Sequence, residues 1–183
     1  MKKFFITLFL MLAPLSLLAQ SIFEKYQNNK EVSAITISPK MFQLLGSMSL
    51  STGDPESDAL MEMISGITLF KALITGSEPI SDEIDQWVKN EADAKGLDSM
   101  VSLKESDAEL ILYVKENDQK QVIDRLLMFS KGIADKVPEA QLEGKNIEAI
   151  LLLIEGEIEM DKIAKLITKM NLPGGDQLIK AGI

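Results

Sequence analysis

The chemistry open to this chain is limited by two residue types that it lacks, since its 183 residues include no histidine and no cysteine. Without imidazole there is no Ser–His–Asp triad and no histidine ligand for zinc or iron. Without thiol there is no cysteine nucleophile and no thiolate ligand. Carboxylates, lysines, hydroxyls and tyrosines remain. None of their arrangements matches a catalytic or metal-binding motif convincingly, so we assign no catalytic residue, no metal ligand and no cofactor.

Three clusters of carboxylates come closest to a motif, and each has a simpler interpretation. Residues 82–85 hold three acids in the first turn of a predicted helix, where the helix dipole favours negative charge. Residues 155–159 alternate glutamate with other residues around Gly156, which fits a paired acid–base site or a solvated corner between a strand and a helix. Residues 54–58 are spaced like the start of an EF-hand loop, but alanine and serine stand where that loop requires glycine and glutamate.

Methionines recur at helical spacing between residues 41 and 63. In an exported protein their thioethers can hold Cu(I). Flexible methionine side chains can also adapt to a hydrophobic partner, or simply fill a core. The sequence leaves these three roles open.

The first 19 residues have the three-part pattern of a secretory leader. Lys2 and Lys3 supply positive charge, residues 4–12 are apolar, and Ala19 ends the segment with a small side chain. The apolar stretch is shorter than the roughly 20 residues that a spanning helix needs. We therefore predict a signal peptide over residues 1–19 and export to the periplasm or cell envelope, with no membrane span after cleavage. An uncleaved anchor helix is the alternative.

The 164 residues that follow the predicted leader are acidic and suit one domain. Removing the two leader lysines leaves 17 basic and 28 acidic side chains, and Arg125 is the only arginine. Nucleic-acid binding requires a dense basic surface, so we expect no nucleic-acid partner. Binding to anionic membrane surfaces is disfavoured for the same reason.

Periodicity and turn residues predict a single two-layer α+β domain over residues 20–183, with its core at about residues 22–170. We expect a mostly antiparallel sheet of five or six strands packed with helices. The predicted helices cover residues 21–29, 40–50, 56–64, 81–95 and 159–170. The predicted strands cover residues 32–37, 67–75, 100–104, 109–115, 122–129 and 146–154. Residues 131–146 are expected to form an irregular connection.

Two of these strands are apolar on both alternating faces, at residues 109–114 and 149–154. A sheet with one wet face alternates apolar and polar residues, so these strands must be central and covered on both sides. Either helices of the same chain cover both faces, or one face meets a ligand, another protein or a second copy. The residues that we assign to such a face are Ile111, Tyr113, Leu127 and Phe129.

Four segments carry distinctive patterns of apolar residues, at residues 23–26, 32–42, 100–103 and 147–166. Together they resemble an exported family of Bacteroidetes, catalogued as domain of unknown function 4252. The resemblance covers roughly residues 22–170. The resemblance implies a small exported bacterial domain of the periplasm or envelope. It implies no catalytic residue, because the family has no established activity.

The same resemblance implies one modification. Residues 98–100, with the sequence Asp-Ser-Met, match the short O-glycosylation pattern of that phylum. Ser99 is therefore a candidate for O-glycosylation if it is exposed.

Three functions stay open on these observations. The one that we favour is a non-catalytic envelope protein that binds another envelope protein, an apolar ligand or a second copy through an apolar sheet face. The second is a carboxylate-based hydrolase, which would need a cleft with two acids, one of raised pKa. The third is a purely structural or stress-induced envelope protein with no ligand.

Overall fold

The fold is built on one six-stranded antiparallel sheet. The computed structural model describes residues 21–47, 64–106, 108–117, 122–136, 141–142 and 144–159. Its strands are β1 (Val32–Ile37), β2 (Ile67–Thr75), β3 (Asp98–Glu105), β4 (Ala108–Glu116), β5 (Val122–Lys131), β6 (Gln141–Leu142), β7 (Lys145–Asn146) and β8 (Ala149–Glu159). The main sheet has the order β1-β2-β8-β5-β4-β3, and β6 pairs with β7 separately. The predicted α+β class with a mostly antiparallel sheet is confirmed.

Four helices accompany the sheet, and residues 64–66, within the described part of the chain, are also helical. The four helices are α1 (Ile22–Tyr26), α2 (Pro39–Ser47), α3 (Glu78–Lys95) and α4 (Ile133–Lys136). The predicted helical residues 56–63 and 160–170, and the predicted leader, lie outside the described residues.

One side of the sheet, which we call the helix face, is covered by α1 and α3. Helix α3 presents an apolar residue at every fourth position, so a single stripe of its surface faces the strands. That stripe consists of Ile80, Ile84, Val88 and Ala92. Together with Phe23 and Tyr26 of α1 it packs on side chains of the central strands, namely Leu73, Leu127, Phe129, Leu151 and Leu153.

The other side of the sheet, which we call the opposite face, is also apolar. Its buried residues include Ala72, Leu110, Leu112, Val114, Leu126, Met128, Leu152 and Ile154, with Phe42 of α2 packed against them. Each of these side chains is at most 7% exposed in a single chain. Of the two coverings that the sequence left open, the structure therefore shows the intramolecular one over the central strands.

Three differences from the predicted elements are larger than a shift of a strand end. Helix α3 begins at Glu78 rather than at Ser81, because Pro79 in a first turn costs no helical hydrogen bond. Residues 131–146 are not wholly irregular, since they include α4 and the β6–β7 ladder. Strand β8 runs on to Glu159, so the predicted corner at residues 155–159 is wrong.

The extension of β8 depends on two glycines whose backbones touch. Gly156 has φ +147°, and a Cβ there would lie 2.1 Å from the carbonyl oxygen of Gly66. A Cβ on Gly66 would lie 2.3 Å from the carbonyl oxygen of Glu157. Neither position can take a side chain without moving backbone, because the atoms in the way belong to the neighbouring strand.

We expect Gly156→Ala to lower the free energy of unfolding by about 2–4 kcal/mol, from its backbone conformation and from overpacking. Urea denaturation would measure the change. Gly96→Ala is the matched control: Gly96 has φ +60°, and a Cβ there would meet no atom within 4 Å, so only the conformational cost of about 1 kcal/mol applies. Equal losses in the two variants would contradict the close approach of Gly66 and Gly156.

Candidate functional site

Strand β1 is the part of the sheet that is most open to a partner. It forms one edge of the sheet, and its residues Ala34, Ile35 and Thr36 are exposed. Its sequence, VSAITI, is uncharged and contains no proline. Such an edge is a template on which another strand can add, because its outer hydrogen-bonding groups face solvent.

The backbone of β1 offers its groups outward at alternate residues. The Val32 N–H donates to the carbonyl oxygen of Asn29 at 3.3 Å, while Thr75, which is opposite Val32 in β2, accepts at its carbonyl oxygen from Glu148. The backbone N–H and C=O groups of Val32 therefore point away from β2. In an antiparallel ladder the direction alternates, so Ala34 and Thr36 also direct their N–H and C=O groups outward.

Exposed apolar side chains occur on β1 itself and on α2, the helix that follows β1 in the chain. Ile35 of β1 is 45% exposed, and Met41 and Leu44 of α2 are 50% and 51% exposed. Ile35 projects from the same side as Ile37, which packs against the opposite-face core together with Phe42 of α2. We call this surface, made of β1 with Met41 and Leu44, the β1–α2 edge.

The other edge of the sheet, β3, carries features that discourage pairing. It contains the charged residues Asp98, Lys104 and Glu105, and its register with β4 shifts between Ser99 and Val101. Charges and bulges are the usual means by which natural sheets keep an edge unpaired. Leu103, at 39% exposure, is the exposed large apolar residue on this strand. The two edges therefore differ in chemistry, and β1 is the unprotected one.

Apart from the sheet edges, the structure has a polar cleft with a volume of about 660 Å³ at the C-terminal end of α3. The guanidinium of Arg125 bonds there to Glu91 of α3 at 3.2 Å and to Glu155 of β8. The charged residues that line the cleft are Lys95, Lys115, Asp124, Arg125, Glu155 and Glu157. These cations and carboxylates balance, so the cleft has no excess charge with which to select an ion. Arg125 instead joins a helix to a strand.

We expect Arg125→Ala to lower the free energy of unfolding by about 1–3 kcal/mol, because it leaves two partly buried carboxylates without their shared cation. Arg125→Lys should recover only part of this loss, since an ammonium lacks the planar fork that bonds two carboxylates. Lys115→Ala is the control: it removes an exposed cation opposite Arg125 on β4 and should change stability by less than about 0.5 kcal/mol. An Arg125→Ala loss no larger than that of Lys115→Ala would contradict the bridging role.

The N-terminal half of α3 is held to the sheet by Asp85. Its Oδ2 lies 2.8 Å from Lys131 of β5, and its Oδ1 lies 2.8 Å from Lys89, one turn along the helix. Burial raises the pKa of Asp85, but hydrogen bonds from Lys131 and Lys89 outweigh it and hold this pKa below its usual value. The hydrogen bond to Asp85 in turn raises the pKa of Lys131.

Helix α1 is tied to α3 through Glu83. The phenol of Tyr26 donates to Glu83 at 2.7 Å, and the ammonium of Lys25 pairs with the other carboxylate oxygen. The hydrogen bond from Lys25 and, to a smaller extent, that from Tyr26 lower the pKa of Glu83. Phe23 also meets Trp87 edge-on, with ring centroids 5.8 Å apart. Two of the three acids in residues 82–85 are therefore engaged in holding helices.

The ion pairs of Asp85 with Lys131 and Lys89 predict how the free energy of unfolding depends on pH. The folded-state pKa of Asp85 is lowered, so its contribution is present above the unfolded pKa of about 3.9 and is lost as pH falls through the folded value. We expect Asp85→Asn to cost about 1–2 kcal/mol at pH 7, a modest figure because both lysines reach solvent.

Urea denaturation between pH 7 and pH 2 would test this expectation. The stability gap between the unmodified chain and Asp85→Asn should narrow below about pH 4. Asp93→Asn changes an exposed acid of the same helix. Its plot of unfolding free energy against pH should stay nearly parallel to that of the unmodified chain. A constant gap for Asp85→Asn would show that the pair does not titrate as described.

The structure places the four residues assigned to a binding face on the helix face of the sheet. Leu127 and Phe129 are fully buried, Ile111 is buried and Tyr113 is partly buried. By alternation along β4 and β5 all four lie on the helix face. All four side chains are buried or partly buried within the chain, so they do not form an open surface in this structure.

The other sequence candidates have varied positions. Ser99 lies near the start of β3 and is exposed, which meets the condition set for its O-glycosylation; the modification itself stays a prediction. Met41 is exposed, whereas the methionines at 48, 61 and 63 and the acids at 54–58 lie outside the described residues. Across the part of the chain that the structure describes, no group of three carboxylates could hold a metal ion. Within the same part, no helix is long and apolar enough to cross a membrane.

Sequence reasoning identified β1 as a strand but not as an exposed edge. The signal was the contrast between the uncharged sequence of β1 and the charged sequence of β3. The sequence pattern predicted both segments simply as strands. The Arg125 bridge was also missed, because Glu91 and Glu155 are 34 and 30 residues away in the chain.

A family model described as a domain of unknown function (DUF4252) matches residues 26–166 of the 183. The chain belongs to this family. The match includes every strand of the DUF4252 sheet described above and confirms the family that the sequence resembled. No curated protein and no solved structure matches the chain.

Proposed function

We propose that this DUF4252 protein is an exported, non-catalytic interaction module of the bacterial cell envelope, and that it binds a protein partner at the β1–α2 edge. One observation carries the proposal: an uncharged edge strand exposes Ile35 and is followed in the chain by a helix with exposed Met41 and Leu44. The sequence suggested an apolar sheet face for binding. The burial of both faces of the central strands moves the proposed surface to the sheet edge.

Strand addition suits the chemistry of this edge. A partner strand would satisfy the outward groups of Ala34 and Thr36 with main-chain hydrogen bonds, which supply affinity. Ile35 and the neighbouring α2 side chains would supply specificity through apolar contact. Because β1 has no charge to desolvate, such pairing would meet no electrostatic penalty at the strand itself.

Export and envelope location rest on the leader-like residues 1–19 and on the resemblance to exported Bacteroidetes proteins. The acidic composition disfavours binding to nucleic acids and to anionic membranes, because like charges repel. These features support an envelope role, in which a small domain recognises another protein.

The carboxylate-based hydrolase gains no support from the described carboxylates. A general acid in such an enzyme needs a raised pKa. Among the described carboxyl groups, those of Glu83 and Asp85 have lowered pKa values. The carboxylates of Glu91 and Glu155 are already bonded to Arg125. No observation specifically favours a structural role without a partner.

Photo-crosslinking in the producing cells would test the interaction surface. We expect p-benzoylphenylalanine in place of Ile35 to give a discrete crosslinked species on irradiation, because that side chain lies in the proposed contact. The same amino acid in place of Leu103 is the matched control, since Leu103 is also an exposed apolar residue on an edge strand.

A second variant distinguishes strand addition from general stickiness. Ala34→Pro removes an outward N–H and should abolish the crosslink at position 35, while it breaks no hydrogen bond to β2. Equal crosslinking from positions 35 and 103, or a crosslink that survives Ala34→Pro, would overturn the proposed surface. The absence of any crosslink at position 35 would overturn it as well.

A further inference from the structure

We propose that the polar cleft at the C-terminal end of α3 binds a small zwitterion of the size of a dipeptide. Its carboxylate would lie beside Lys95 and Lys115, and its ammonium beside Glu155 and Glu157. This site is independent of the β1–α2 edge, because the residues that line the cleft belong neither to β1 nor to α2.

The cleft forms where three neighbouring ladders of the sheet are irregular. The β2–β8, β8–β5 and β5–β4 ladders each shift register next to Glu155 or to Arg125, which are cross-strand partners. The residues that have no cross-strand partner at these shifts include Thr68, Asp124 and Glu157, and all three line the cleft. Bulges redirect side chains and occur often beside binding sites. Their alignment over adjacent strands therefore favours a formed site.

Backbone contact fixes one wall of the cleft. Gly66 and Gly156, whose backbones touch between β2 and β8, both line it. Gly156 has φ +147°, and backbone conformations of this kind concentrate at ligand sites. A site whose backbone is already held in place loses little conformational freedom when a ligand binds, which favours binding of a small molecule.

The order of the strands separates the charges of the cleft. Lys115 is on β4, and Lys95 ends α3 just before β3, the strand that pairs with β4. Glu155 and Glu157 are on β8, and β5 lies between β4 and β8. The cleft is thus neutral as a whole, with cations toward one end and carboxylates toward the other. A ligand with no net charge and one charged group at each end complements this pattern.

The groups assigned to the ligand are available to it. Within the described part of the chain, the ion pairs made by residues of the cleft are those of Arg125 with Glu91 and Glu155. Lys95, Lys115 and Glu157 are exposed and make no such pair there. Two cations close together repel each other, so a carboxylate between the lysines would be stabilising.

The span of the cleft selects the length of the ligand. Strands β4 and β8 are two strand spacings apart, or about 9.6 Å. An extended dipeptide spans up to about 7 Å, so its two ends come within reach of the lysine and glutamate side chains. A single amino acid spans half of that distance and reaches one end. The cleft volume of about 660 Å³ is in the range of small-molecule sites.

Titration of the ¹⁵N-labelled full-length chain with glycylglycine, followed by NMR, would test the site. We expect saturable shifts of the backbone amides of Lys115, Asp124 and Glu157. N-acetylglycylglycine lacks the ammonium and glycylglycinamide lacks the carboxylate, so each is a matched control ligand. We expect the dissociation constant of each to be at least about threefold higher, because one charge contact is lost at an exposed site.

Two substitutions assign the ends of the ligand. Lys115→Ala should remove most of the preference for glycylglycine over its amide and keep the preference over the N-acetyl form. Glu157→Gln should have the opposite effect. Lys95→Ala should act like Lys115→Ala, and Lys104→Ala, which changes an exposed lysine of β3 outside the cleft, should alter neither preference. A cooperative urea unfolding curve for each variant separates a lost contact from misfolding.

Three outcomes would overturn the zwitterion site. The first is the absence of saturable shifts at the cleft on addition of glycylglycine. The second is equal binding of glycylglycine and its two control ligands. The third is a loss of binding in Lys104→Ala as large as that in Lys115→Ala, because binding would then follow overall charge. None of these outcomes bears on the β1–α2 edge, which the crosslinking at position 35 tests separately.

Discussion

The burial of the central strands on both faces is the constraint on which the rest of this structure depends. Strand β5 sends Leu127 and Phe129 to the helix face and Leu126 and Met128 to the opposite face, and all four are at most 1% exposed. At about 1.5–3 kcal/mol for each large apolar side chain buried, this double core is the main favourable term in folding. It also means that neither face of the central strands is available to a ligand while the chain is folded in this way.

Polar groups hold the covering helices in place at the margin of that core. Asp85, in the N-terminal half of α3, pairs with Lys131 of β5. Arg125 of β5 pairs both with Glu91, in the C-terminal half of α3, and with Glu155 of β8. The ion pairs lie where solvent still reaches the side chains, so their desolvation cost is moderate. The acids at residues 82–85 are therefore explained largely by the docking of helices, and the lowered pKa values of Glu83 and Asp85 agree with that role.

A protein whose faces are occupied by its own helices can recognise another protein through its edges. The two edges of this sheet differ: β3 has charges and a register shift, whereas β1 has neither and exposes Ile35. Selection against unwanted pairing would remove an open, uncharged edge unless the edge were used. The proposed interaction surface rests on this asymmetry between the two edges.

Local signals in the sequence were sufficient to define most of the secondary structure. The bounds of β1 and β2 are those that β-branched alternation predicts, and Gly96 has the left-handed conformation expected of a helix C-cap. The sequence by itself also determined that the central strands are covered on both sides, because an apolar residue at every position cannot face water. Only the tertiary structure decided which strand lies at an open edge, which glutamates reach Arg125, and that Gly156 continues a strand rather than turning it. These features depend on contacts between residues far apart in the chain, which local periodicity does not encode.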